Sequence, residues 1–299
     1  MSTDLRRATD LRKRPGSSGR RKKSGRFWKG LAVVILASAG TTLAIHASDT
    51  LRIPGFSLLG AVGSIGASSA CPDDMTKVLR SGGVLCVDKF ENAPGRACTF
   101  GTPRTIQETE ENIRNPACVS VSAAGHEPWT NVTLGQAQLL CARSGKRLPT
   151  GAEWYQASIG TPDDVGKKDG CALGLTRQEN ADPSGAHARC VSASGVYDMV
   201  GNVWEWVDGT ARDGVFEGHN LPPTGYVQEA DESGIPAETS LSEPSVAYGG
   251  DHASVERTGI RALFRGGYWG MDEKAGVFAI NATQPPSFVG IAVGFRCVK

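Results

Sequence analysis

The spacing of apolar residues along the chain predicts two helices and a scatter of short strands. Residues 133–145 carry the clearest helical period. Ala137, Leu140 and Cys141 share one face, Thr133 and Gln136 stand in capping-box positions, and Gly145 suits the stop. A second helix opens at Thr150, with Glu153 at the box position and Trp154 and Ala157 facing inward, and ends near Gly160-Thr161-Pro162. Strand-length apolar runs lie at 75–79 and 84–87 about a Ser81-Gly82-Gly83 turn, and again at 263–269, 277–280 and 292–297. Residues 92–118 read as loop, broken by Pro94, Gly95, Pro103 and Pro116, and residues 163–196 as polar, turn-rich chain. Residues 208–261 are rich in Gly, Pro and acids, among them Glu229, Asp231, Glu232, Glu238 and Glu243. So long an acidic insertion without pattern is either a functional loop or a mobile one. The fold class these elements predict is α+β with little long regular structure. No repeat, βαβ rhythm, Gly-rich phosphate loop or Gly-x-Ser-x-Gly elbow interrupts that reading.

One stretch joins packing to chemistry: Tyr197-Asp198-Met199-Val200-Gly201-Asn202-Val203-Trp204-Glu205-Trp206. Val203 and the two indoles suit a buried strand, and Gly201-Asn202 a turn tolerant of positive φ. Asp198 and Glu205 sit among them. A carboxylate between indoles is costly unless it meets a cation, a metal or several donors. An arginine partner for Glu205 is one solution; a bound metal is the other.

Charge adds a topology. The 299-residue chain is almost neutral, at +1, but residues 1–29 hold seven Arg and four Lys against two Asp, a net of +9. The remaining 270 residues therefore sum to −8. A basic head on an acidic body points to membrane orientation rather than nucleic-acid binding. The next stretch carries no charge apart from His46; its roughly 18 apolar or small residues can cross a bilayer core of about 30 Å. Residues 1–29 thus read as a basic cytosolic tail, 30–48 as a transmembrane signal anchor, 49–70 as a Gly/Ser-rich linker and 71–299 as an exported body. A cleaved signal peptide is the alternative, because Ala44, Ala47 and Ser48 follow the apolar run.

Eight cysteines in an exported body are most simply four disulfides. Cys71 and Cys86 would staple the ends of the first hairpin, Cys98 and Cys118 bracket a loop, and Cys171 and Cys190 bracket the turn-rich segment. Cys297 is then left for Cys141, closing a loop of about 155 residues. No Cys-x-x-Cys occurs and the histidines are scattered, so a zinc site is unsupported.

Four landmarks stand in order: Gly145-Lys-Arg-Leu-Pro-Thr-Gly-Ala-Glu-Trp154, the 197–206 stretch, Arg265-Gly-Gly-Tyr-Trp269 and Gly294-Phe-Arg-Cys297. Together they resemble the formylglycine-generating enzyme, or sulfatase-modifying factor, family over residues 71–299. The resemblance implies a compact, C-type lectin-like α+β domain and supports the Cys141–Cys297 bridge. It further implies a structural calcium held by Asp198 and Glu205 and by the carbonyl oxygens of Gly201 and Val203, a hard-oxygen set that suits this ion. Asp198 stands where the family's best-known member has an Asn. Family enzymes convert a sulfatase cysteine to formylglycine with two copper-binding cysteines that follow the Arg-Gly-Gly motif. Counting without gaps, their positions here hold Met271 and Gly276, and the family's Ser is Tyr268. Copper(I) needs soft sulfur, so the copper-thiolate reaction is not expected.

Two functions follow. The first is a calcium-stabilised, non-catalytic recognition or accessory module, displaying residues 208–261 together with Tyr268, Trp269, Met271, Asp272 and Glu273 to an exported protein or a small molecule. The second is an enzyme of the same superfamily using other chemistry, for which His219, His252, Asp251 and Asp272 are the loose candidates.

Overall fold

The computed structural model describes residues 70–299 apart from 81–82, 165–167, 169 and 175–178. The basic tail, the proposed anchor and the linker up to residue 69 lie outside the described residues, as do Ser81 and Gly82 of the first turn. Among the described residues no helix is long and apolar enough to cross a membrane.

Strand β1 (Met75–Arg80) and strand β2 (Gly83–Asp88) form the expected hairpin. Strands β3 (Asn92–Pro94) and β4 (Ser120–Ser122) pair in a second small sheet. Between them lies helix α1 (Ile106–Arg114), in a segment expected to be loop. Thr105 caps it, accepting from the Glu108 N–H, but its buried face is Thr109 and Asn112. Its only apolar residues, Ile106 and Ile113, stand a heptad apart, too sparse a signal between Pro103 and Pro116 to read as a helix.

Helices α2 (Leu134–Arg143) and α3 (Gly151–Ser158) lie where the apolar spacing places them, and each opens with a complete capping box, Thr133 with Gln136 and Thr150 with Glu153. They flank the main sheet. Its strands are β5 (Trp204–Arg212), β6 (Val215–Phe216), β7 (His219–Asn220), β8 (Gly225–Ala230), β9 (Pro236–Ser240), β10 (His252–Val255), β11 (Ile260–Arg265), β12 (Ile280–Ala282) and β13 (Val293–Gly294). The order is β7-β6-β5-β11-β12-β10-β8-β9, with β13 parallel to the start of β5. Residues 208–261 are therefore no loop: they supply most of the sheet. Their strands are short, two of them only two residues long, which leaves the period of two little length in which to show.

Alternation along the central strands divides the core. On β5 and β11, Trp204, Trp206, Ala262 and Phe264 pack with Trp129, Leu140 and Phe295 beside α2. Val207, Ala211 and Leu263 pack on the other side with Trp154, Phe216 and Ile235. Arg265 lies wholly buried beneath α3, its guanidinium 5.0 Å from the Trp154 ring and donating to the carbonyls of Gly151, Gly234 and Val277. Burial lowers its pKa to about 10, partly offset by the charges of Asp231, Glu217 and Asp251, so it stays charged at neutral pH. All four expected disulfides are present: Cys71–Cys86, Cys98–Cys118, Cys171–Cys190 and Cys141–Cys297.

Candidate functional site

The 197–206 stretch is a tight turn feeding β5. Asp198, Gly201 and Asn202 all have positive φ, of 59°, 78° and 51°. At position 201 only glycine is tolerated, because a Cβ would collide with the Ala172 carbonyl. This turn drives three polar side chains inward. Glu205, 1% exposed, accepts from Arg296 on both oxygens, Nη2 at 2.5 Å and Nε at 2.7 Å, and from Trp154 Nε1 at 2.7 Å. Arg296 also donates to the carbonyls of Asp88 and Tyr197. Asp198 accepts the Gly185 N–H at 2.7 Å. Asn202 donates at 2.7 Å to Glu91, which also accepts from the Ser184 hydroxyl and the Val203 N–H.

Three buried carboxylates thus share one guanidinium. Burial, with the charges of its neighbours, raises the pKa of Glu91 well above the carboxylate range. Burial likewise pushes Asp198 up to about 6. Arg296 pays a desolvation cost too, but Glu205 and the other two acids hold it charged. Sequence reading anticipated Asp198 and Glu205 and missed Glu91, which follows the first hairpin in no motif. Arg296 stood in the Gly-Phe-Arg-Cys landmark without a role.

Met271 and Gly276, which the ungapped count places at the family's cysteine pair, lie elsewhere. Met271 is half-buried against the α2-side core. At Gly276 a Cβ would collide with Oδ1 of both Asp251 and Asp163. The space beside that position is filled by an ion cluster. Lys168 Nζ lies 2.7 Å from Asp251 Oδ1 and 3.2 Å from Asp163 Oδ1, and donates to the carbonyls of Glu273 and Ala275. The second oxygens of the two acids accept the N–H groups of Phe278 and Val277. Asp251 is fully buried, and burial raises its pKa well above the usual value. Every cysteine is in a disulfide.

The loose enzymatic candidates do not gather. Asp251 belongs to the lysine cluster, and His219 pairs with Asp231 at 2.6 Å. His252 packs edge-on to Tyr226, and burial lowers its pKa, with Lys274 adding to the effect. Among the described residues no group of three or more His, Cys, Asp or Glu side chains could hold a metal ion.

Of the predicted surface, Tyr268 and Trp269 line a cleft of about 330 Å³ with Trp204, Phe264 and Phe288. Asp272 and Glu273 are exposed outside that lining.

A low-helix domain of short strands, stapled by disulfides, with its polar hub at a turn before the central strand, defines a C-type lectin-like fold of the sulfatase-modifying type. The chain belongs to that family: the sulfatase-modifying factor enzyme 1-like domain model matches residues 102–299. A hercynine oxygenase of Mycolicibacterium smegmatis is 34% identical over 99 residues, which are 29% of this chain and 23% of that protein. A second, from Mycolicibacterium thermoresistibile, is 31% identical over 96 residues, covering 29% and 22%. The chain thus spans less than a quarter of the length of these relatives. Among solved structures, PvdO from Pseudomonas aeruginosa aligns over 72% of this chain and 80% of its own, at 18% identity and a TM-score of 0.41.

Proposed function

We propose that the chain is a membrane-tethered, extracytoplasmic recognition module of its family that does not carry out copper-thiolate oxidation. One observation carries the reading: all eight cysteines are committed to disulfides, which leaves no thiol for copper, and by an ungapped count from Arg265-Gly-Gly the family's thiol positions fall on Met271 and Gly276. Restoring a side chain at position 276 would require moving the Lys168–Asp251–Asp163 cluster. The basic head, the apolar run at 30–48 and the four disulfides support export and tethering. Two checks test the reading on the full chain. Thiol titration of the unfolded, unreduced protein is expected to find no thiol, and copper(I) titration no stoichiometric high-affinity site. A titratable thiol with one bound copper would overturn it.

Calcium is the structural cofactor this reading includes. Asp198, Glu205 and the carbonyl oxygens of Gly201 and Val203 would hold it. Two features support the fit. Glu91, Asp198 and Glu205 carry up to three negative charges against the single charge of Arg296. Arg296 and Trp154 make three bonds to Glu205, and a carboxylate offers about four lone-pair sites, so one remains on Oε1. When bound, the ion supplies the missing positive charge; the chain's own residues position the turn.

Without calcium the hub must hold protons instead. Asp198 has an ordinary pKa of 3.8 and a folded value of about 6. The folded state therefore keeps a proton that the unfolded chain has already released. That stability is complete below the unfolded value and is lost as pH rises through the folded one. Asp163, pushed by burial to about 6, adds to the same fall. In chelator, Tm is expected to drop between about pH 4 and pH 6.5 and to level off above; calcium should restore it at the higher pH and do little at the lower. Asp198→Asn should weaken both effects. A flat profile indifferent to calcium would remove the cofactor from the reading.

The second reading, an enzyme acting by other chemistry, is favoured by the relatives named hercynine oxygenase, distant as they are.

A further inference from the structure

The aromatic cleft has a composition that selects its occupant. Trp204, Phe264 and Trp269 are nearly buried, at 6%, 2% and 3% exposure, while Tyr268 and Phe288 are half-buried. At the rim Ile291 is 56% exposed. The Phe264 and Phe288 rings lie nearly parallel, 20° apart with centroids at 6.3 Å, while Trp204 meets Phe264 edge-on. Two amides, Asn281 and Gln284, complete the polar part of the wall. Asn281 uses Oδ1 to hold the Thr283 N–H and hydroxyl, and its Nδ2 takes no part in those bonds. Among the described residues no Asp, Glu, His, Lys or Arg lines the cleft, although residues 30–299 carry a net charge of −8.

That wall discriminates between ligands. A phosphate, carboxylate or other ion entering it would lose its hydration without gaining a counter-charge. A purely apolar side chain would cover the tyrosine hydroxyl and the remaining polar edges of the amides without giving them a hydrogen bond in place of water. A neutral ring with apolar C–H faces and hydroxyls on its edge meets both demands: its faces lie on the aromatic rings and its hydroxyls reach the amides. A cleft of about 330 Å³ is at the small end of ligand sites, which run from roughly 300 to 1,000 Å³. It accommodates one or two such rings.

We propose that the cleft between Tyr268, Trp269 and Phe288 binds a neutral carbohydrate. This rests on the recognition reading and names the ligand of that module. Two lining tryptophans make the cleft its own reporter. The full chain in detergent is titrated through the millimolar range with maltotriose, cellotriose and chitotriose, and tryptophan emission is followed. At least one trisaccharide should give a saturable shift. Phe288→Ala and Tyr268→Ala should each weaken it by about tenfold or more. Phe288 is half-buried, so Tm of each variant is recorded, and Gln284→Ala provides a milder substitution expected to weaken binding without unfolding. The proposal is overturned by no saturable shift with any of the three sugars, or by a shift that all three substitutions leave unchanged. Tighter binding of N-acetyl-phenylalaninamide, marking a peptide site, would also overturn it. Failure on these sugars leaves thiol and copper titrations unaffected, so the ligand assignment and the recognition reading fail separately.

Discussion

Arg296→Met is expected to leave the body unfolded, or nearly so, at neutral pH. Removing the one cation among Glu91, Asp198 and Glu205 strands buried carboxylates, a change that ordinarily costs about 3–5 kcal/mol where a buried pair is broken. Domain stabilities run from about 5 to 15 kcal/mol, so this loss is a large share of the whole. The same guanidinium also holds the carbonyls of Asp88 and Tyr197, which ties the first hairpin and the turn to the last strand region. Urea unfolding at neutral pH measures the loss. The double variant Arg296→Met with Glu205→Gln should recover part of it, because the most directly paired charge is gone. An Arg296→Met protein as stable as the parent would show that the hub is not held by this pair.

The Cys141–Cys297 bridge should matter most among the four. Its partners are 156 residues apart, against 15, 20 and 19 for the others. In the chain-entropy model a loop of that length restricts the unfolded chain by about 5 kcal/mol, and a short one by about 3 kcal/mol. Both sulfurs are buried on the α2 side of the core, so the bridge fastens α2 to the C-terminal end. Replacing both cysteines with serine is expected to lower Tm more than removing any other pair, with scanning calorimetry as the measurement. An equal loss from the Cys71–Cys86 pair would contradict the loop-length argument.

How legible these features were depends on what carries each one. Helices α2 and α3 announce themselves through capping boxes and apolar faces, and the cysteine pairs through the segments they bracket. Helix α1 does not, since Thr109 and Asn112 are its buried residues. Strands β6 to β9 do not either, because two are only two residues long and the other two alternate weakly, each with a single exposed acid, Glu229 or Glu238. The turn at 197–206 was visible as a costly arrangement of acids, and Glu205 could be assigned an arginine or a metal. Choosing Arg296 needed the third dimension, since 91 residues separate the pair. Glu91 was invisible for the same reason: no local pattern links it to Asn202, 111 residues away. The aromatic cleft was half-seen, through Tyr268 and Trp269 alone. Phe288 and Trp204 join them only because β13 lies alongside β5.

The recognition reading stands or falls on turnover. The full chain, supplied with copper(I), oxygen and a thiol reductant, is incubated with a peptide carrying the cysteine that sulfatases convert, and aldehyde is quantified by mass spectrometry of the peptide. The expected result is an unchanged cysteine, indistinguishable from the no-protein control. Catalytic formation of formylglycine, abolished by chelating the copper, would contradict it.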